Sequence, residues 1–327
     1  MTVAVLDSGI NADHPALKGR VAKVGPDFFN SDGLRPGDKG YGVHGTAMVS
    51  DVLKVAPKAR IITARVINDS HEQEILRPKD GVTPLAKGID FAVKNGADVI
   101  SLSLGGGLFS DLASSEVGAA SRAVQQGVTI LAGAGNSGDE TNEGNFPAGY
   151  PTVIAVAATQ PGGTRADFST VRTHNTIAAP GVEIISAKNT GGYSGVDGTS
   201  PATALASGVT ALMLAKNPDL TPAQTRAILM RTAQAPPGGH NPLVGAGQIN
   251  AAAAVRAAGN PPRIDTAPRP YKGKMKHFAS PSGTSKISHP PIEQGLLTVG
   301  LGAAGGGLLL VVCGLLLALR KKQRVAM

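Results

Sequence analysis

The sequence predicts an α/β domain, a parallel sheet with helices on both faces, followed by one C-terminal membrane-spanning helix. Three observations predict it. Short β-rich runs at 2–6 (TVAVL), 60–66 (RIITARV), 98–103 (DVISLS), 128–132 (VTILA) and 153–158 (VIAVAA) are separated by helical patterns at roughly 82–95, 114–126, 199–216 and 221–233. These runs are nearly all apolar, as strands covered on both faces must be. Residues 295–319 (GLLTVGLGAAGGGLLLVVCGLLLAL) carry no charge, enough to cross a bilayer core of roughly 30 Å at about 1.5 Å per residue.

Each segment follows in order. Residues 1–259 read as one domain without internal repeats, and its apolar content allows a sizeable core. The chain opens directly on a buried-type strand, with no charged n-region and apolar h-region before it. No signal peptide is visible, which leaves an upstream start, a removed segment or a different topology open. Residues 260–294 are rich in Pro, Ser and Lys and read as an extended linker. Residues 295–319 form the expected transmembrane helix. Gly302 and Gly306 have a helix-contact spacing within it, though lipid-facing filler is the simpler reading. Arg320, Lys321, Lys322 and Arg324 place the tail 320–327 in the cytoplasm and residues 1–294 outside.

Charge excludes one function class. The net charge is +8, but residues 263–327 hold 10 of the 31 basic residues and 2 of the 23 acidic ones. The rest of the chain balances, so a basic nucleic-acid face is not indicated. The single cysteine, Cys313, excludes an internal disulfide and a cysteine-based zinc site. The histidines His71, His174, His240, His277 and His289 show no metal spacing. Asp139, Glu140 and Glu143 read as a solvated acidic loop rather than a calcium loop. No cofactor and no metal are expected.

Four short segments carry the chemistry. Asp7 ends the first strand in LDSGI, His44 opens a helix in VHGTAMVS, Asn136 follows a strand in AGAGNSG, and Ser200 opens a helix in DGTSPATALASGV. Singly, each has an ordinary structural reading. Asp7 would be a turn carboxylate, His44 a capping group, Asn136 a left-handed loop residue, and Ser200 an N-cap before Pro201. Jointly they match what serine hydrolysis needs: a hydroxyl, an imidazole to take its proton, a carboxylate to orient the imidazole, and donors for the oxyanion. Asp7 and Asn136 fall at strand ends, where open α/β sheets place their sites.

The blocks VAVLDSGINADHPAL, VHGTAMVSDVLKVAPKARI, DVISLSLGG, AGAGNSG and GTSPATALASGV resemble the signature segments of the subtilisin-like serine peptidases, over about residues 2–257. The stretches FPAGYPTVIAVAA, AAPGVEIISA and PPGGHNPLVGAGQINAAAAV are similar to the mycosins, membrane-anchored proteases of type VII secretion. The resemblance implies Ser200 as nucleophile, His44 as general base and acid, and Asp7 as orienting carboxylate. It implies Asn136 and the Ser200 N–H as oxyanion donors. It also implies that an extended peptide pairs along Ser101–Gly106, with Ser103, Leu104, Gly105, Ala134 and Gly135 against the substrate. His14 in ADHPAL would be structural. Ala204 stands where the family usually has Pro, which a helix tolerates. Implied partners are an extended peptide, the lipid bilayer and secretion-system components. The alternatives are a catalytically silent membrane-anchored scaffold, or a tail-anchored protease facing the cytosol.

Overall fold

The computed structural model describes residues 1–69, 80–105, 113–143 and 146–264, and further on residues 298, 301–308, 310, 311 and 314. The chain divides into units Met1–Thr266 and Ala267–Met327. In the first unit the elements run β1 (Thr2–Asp7), β2 (Val21–Asp27), α1 (Val43–Val55), β3 (Arg60–Arg65), α2 (Pro84–Lys94) and β4 (Val99–Leu102). Then come α3 (Ser114–Gln125), β5 (Thr129–Gly133), β6 (Ile154–Thr159), β7 (Asn175–Pro180), β8 (Ile184–Ala187) and β9 (Tyr193–Val196). Helices α4 (Thr199–Lys216), α5 (Pro222–Thr232) and α6 (Ala251–Ala258) close the unit.

Seven strands form one sheet in the order β2-β3-β1-β4-β5-β6-β7, and every adjacent pair is parallel. The five strands expected from sequence form its centre. Alternation within each strand divides the core. Val3, Val5, Ile61, Val99 and Leu131 pack with Met48, Val49 and Val52 of α1 and Val209 and Met213 of α4. Ala4, Leu6, Ile62, Ile100 and Ile130 pack with Leu85 and Ile89 of α2 and Ala119 and Ala123 of α3. Burial of these two layers is the dominant stabilising term.

Four strands and one helix go beyond the sequence reading. Strand β2 (VAKVGPD) is an exposed edge, where an interior Gly and Pro are tolerated and no apolar run is needed. Strand β7 (NTIAAP) is buried but Ala-rich and ends in Pro, so it lacks the β-branched signature. Strands β8 and β9 are four residues each and form an antiparallel hairpin. Helix α6 (AAAAVRAA) is eight residues long, and its Ala254 and Ala258 are buried.

Strand order reverses between β1 and β4, so the crevice of this sheet lies at their carboxyl ends. One close approach brings α1 into that crevice. A Cβ on Gly45 would stand 2.0 Å from the Gly9 carbonyl oxygen, so only glycine lets the helix start meet the turn after β1. Beside it lies a buried cation. Arg65 ends β3 opposite Asp7 in register, and its guanidinium sits between the rings of Phe29 and Tyr41, 5.3 and 5.1 Å from their centres. It donates to Asp27 at 2.8 Å, to both carboxylate oxygens of Asp32, and to the Ser8 carbonyl at 3.1 Å. Burial opposes its charge, but Asp32 and Asp27 more than offset this and hold its pKa above the ordinary value.

The expected linker falls mostly outside the described residues, as do Cys313, His71, His277, His289 and the tail 320–327. Of the expected membrane segment, the described residues are helical. Among the described residues, no helix is long and apolar enough to cross a membrane.

Candidate active site

Strand β1 delivers Asp7 to the crevice fully buried. One carboxylate oxygen does all of its work. Asp7 Oδ1 accepts from Ser8 N–H at 2.7 Å and bonds His44 Nδ1 at 2.8 Å. Asp7 Oδ2 is buried with no hydrogen-bond partner among the described residues. Helix α1 presents His44 from its first turn. Burial disfavours the imidazolium, but Asp7, with lesser contributions from Asp69 and Asp51, more than offsets this and raises the His44 pKa above its ordinary value.

Ser200 occupies the first turn of α4. Its N–H there has no intrahelical acceptor and lies at the positive end of the helix dipole. Ser200 Oγ donates to the Ser103 carbonyl at 3.2 Å, and Ser103 Oγ donates to the Ser200 carbonyl at 2.9 Å. The hydroxyl is therefore engaged with the end of β4 rather than with His44.

Asn136 follows β5 and is exposed. Its Oδ1 accepts from both the N–H and the hydroxyl of Thr199, each at 2.9 Å. Because a backbone N–H can only donate, this fixes which end of the amide is oxygen. The Nδ2 end makes no hydrogen bond among the described residues. A Cβ placed on Gly198 would be 3.4 Å from Asn136 Nδ2 and 3.6 Å from Ser200 N, so the two donors border one small space. Thr199 Oγ1 also accepts from Gly135 N–H at 3.2 Å, locking the Asn136 turn to the start of α4.

The other expected substrate contacts divide. Ser103 is almost fully buried, so its contribution to the crevice is through the backbone. Leu104 and Gly105 are partly exposed. Ala134 departs from expectation: it has no exposed surface and packs with Ala157, Ala178 and Val244. In this arrangement its methyl group faces the core and can touch no substrate. Gly135 is half-buried, and its carbonyl accepts from Thr170 N–H at 3.0 Å. His14 bonds the Gly192 carbonyl at 3.1 Å and packs edge-on against Tyr193, tying the turn after β1 to the β8–β9 hairpin. Asp139 and Glu140 are exposed, and Glu143 accepts from Thr141 Oγ1 at 2.7 Å.

Two functional neighbours escaped the sequence reading. Thr199 lies in the quoted segment DGTSPAT, but its part in orienting Asn136 needs the β5–α4 contact. Asp69 is a lone acid in VIND, and no local pattern marks it. In the structure it accepts from Val43 N–H at 2.9 Å and from His44 N–H at 2.8 Å.

Known proteins resemble this chain in both sequence and fold. The model of the subtilase family, Peptidase S8, matches residues 1–247. Subtilisin DY of Bacillus licheniformis is 35% identical over 241 residues, covering 71% of this chain and 82% of that protein. Longer curated relatives are covered over 65% of their length. Among solved structures, the protease domain of PatA superposes with a TM-score of 0.67 at 28% identity, covering 79% of this chain and 94% of that one. MycP1 with its N-terminal propeptide removed gives a TM-score of 0.63 at 27% identity, covering 78% and 90%.

Proposed function

The chain belongs to the subtilase family of serine peptidases, and from that premise we propose that it is an endopeptidase working through an acyl-enzyme on Ser200. Ser200 Oγ attacks the scissile carbonyl carbon while His44 Nε2 takes its proton. Collapse of the tetrahedral intermediate breaks the C–N bond, and the amine leaves with the proton from His44. Water then repeats both steps on the acyl group. Asp7 holds the imidazole and stabilises its charged form, and Asn136 Nδ2 and Ser200 N–H receive the oxyanion. The observation that carries this reading is the 2.8 Å bond between Asp7 and His44, in a chain that also carries a serine at the N-terminus of α4. The Ser200–Ser103 hydrogen bond is the resting arrangement, and the hydroxyl turns to His44 when substrate enters. Catalytic hydrogen bonds often tighten only in the complex.

An extended peptide would lie along Ser103–Gly105, pairing by backbone. Asn136→Ala is expected to lower turnover by about 100- to 1000-fold, the scale established on subtilisin itself, with little change in substrate binding. Steady-state cleavage of a peptide anilide would check this.

We further propose that residues 295–319 anchor the enzyme as a single membrane-spanning helix, with the catalytic domain outside and 320–327 inside. The uncharged run, the basic cluster Arg320–Arg324 and the exposed apolar side chains of Leu308 and Leu310, 69% and 76%, support this. A role beside a secretion system is supported by the likeness to mycosins and to MycP1. The test is labelling by a membrane-impermeant fluorophosphonate on intact protoplasts and then on lysate, with Ser200→Ala as control. Labelling on intact cells that vanishes in the variant fits the proposal. Labelling only after lysis would overturn the topology. No labelling of folded protein would favour the silent scaffold.

A further inference from the structure

We propose that Asp69 is a positioning residue for His44, its carboxylate supplying the cap that α1 lacks and holding the histidine backbone in place beside Asp7. The inference deepens the catalytic reading above and rests on it.

Helix α1 starts without a cap of its own. Its N-cap is Gly42, left-handed at φ 68°, which has no side chain to accept from the first turn, and that turn contains no acidic residue. Orphan N–H groups at a helix start need an acceptor. Asp69 meets two of them at once, one with each carboxylate oxygen, at Val43 and at His44. Such bonds are charge-assisted and favoured by the helix dipole. A serine or asparagine cap would belong to the helix itself, whereas this one arrives from a different part of the sheet.

The place it arrives from matters. Asp69 follows β3 by four residues, and in between Val66 N–H and Ile67 N–H donate to the Asp7 carbonyl at 2.8 and 3.4 Å. One short segment therefore grips the backbone of Asp7 with two amides and the backbone of His44 with a carboxylate. Displacing Asp69 would loosen α1 relative to β1, and the 2.8 Å bond between their side chains depends on that placement.

Asp69 also adds charge. The ionisable groups bearing on His44 are Asp7 from β1, Asp51 from its own helix, and Asp69. Asp51 is buried, accepts from the Ser186 hydroxyl, which lies 2.9 and 2.8 Å from its two carboxylate oxygens, and pairs with Lys54. Asp7 is the orienting group itself. Changing Asp7 removes the side-chain partner of His44 and changing Asp51 breaks a buried set of bonds, whereas among the described residues Asp69 bonds backbone N–H groups alone.

The test uses the full-length protein and the rate of fluorophosphonate labelling between roughly pH 5 and 9, a range in which histidine titrates. Variants Asp69→Asn and Asp69→Ala are compared with the native chain, with thermal unfolding measured in parallel. Both variants lose the charge that helps to raise the His44 pKa, so the acid limb is expected to move to lower pH. Asp69→Asn keeps one acceptor. Asp69→Ala keeps none, and its alkaline plateau is expected to fall by about tenfold, with a smaller fall for Asn. If Asp69→Ala does not fold, the Asn variant decides by its limb. A lowered unfolding temperature with an unmoved acid limb would make Asp69 only a structural cap and overturn the assignment. A folded native protein that does not label would instead bring down the catalytic reading, and this inference with it.

Discussion

Ser200→Ala will remove peptide hydrolysis almost entirely, by about a millionfold in kcat, the scale established on subtilisin, and leave the fold intact. The size follows from the chemistry. Ser200 is the proposed nucleophile, and without it the oxyanion donors have no tetrahedral intermediate to stabilise. What survives is the modest contribution of binding and of water acting in place of the serine. The fold has little to lose. The hydroxyl makes one hydrogen bond, 3.2 Å to the Ser103 carbonyl, and the reciprocal bond from Ser103 Oγ to the Ser200 carbonyl does not involve the side chain that is changed. The expected result is an unfolding temperature within a degree or two of the native value and no fluorophosphonate adduct by intact mass. Residual cleavage well above the buffer rate in purified Ser200→Ala would assign the nucleophile elsewhere.

Asp7→Asn should cost about 10⁴-fold in kcat, through the tautomer and through charge. Asp7 Oδ1 bonds His44 Nδ1, so the ionised carboxylate requires the proton on Nδ1 and leaves Nε2 free as a base. An amide can donate to Nδ1 instead and leave the proton on Nε2. The pH dependence carries the sign of the electrostatics. His44 must be neutral to act as base, and its pKa is raised chiefly by Asp7 acting against burial. In Asp7→Asn the acid limb of the residual activity therefore moves to lower pH. Stability follows by linkage. A raised folded pKa gives stabilisation present in full below the unfolded histidine pKa and lost as pH rises through the folded value. The native protein should thus lose its advantage over Asp7→Asn as pH rises through that window. Above it, a buried carboxylate with one unpartnered oxygen is left facing neutral imidazole, and the amide becomes the cheaper occupant. Thermal unfolding of both proteins across the range checks the narrowing. A difference that widens with pH would contradict it.

Much of this was legible in the sequence because the informative groups lie where local pattern and chemistry coincide. Asp7, Asn136 and Ser200 each sit at the seam between a periodic element and a Gly-rich turn, and His44 opens a helix. The central strands were readable because burial on both faces leaves an almost unbroken apolar run. Strand β2 was not, since an edge with Lys23 and Val24 in solvent has no such run. Ala134 could not be told from its neighbours Gly135 and Asn136 in the sequence, because its burial against Ala157, Ala178 and Val244 depends on residues distant in the chain. Thr199 and Asp69 were invisible for another reason. Each acts on a residue that is distant in sequence, and only the strand order brings them together.

The cation behind Asp7 has a consequence for how this chain can vary. Arg65 is buried between Phe29 and Tyr41, and its two carboxylate partners Asp27 and Asp32 close the group on its solvent side. Removing one carboxylate leaves the arginine with a single acidic partner, and removing the arginine leaves two acids and an empty slot between the rings. Their individual tolerances are therefore not additive. A one-at-a-time mutational scan would score Arg65 as the least replaceable of the five, because either acid can still pair with it when the other is lost. Recombination between homologues, which moves such blocks together, has access to sequences here that stepwise substitution does not.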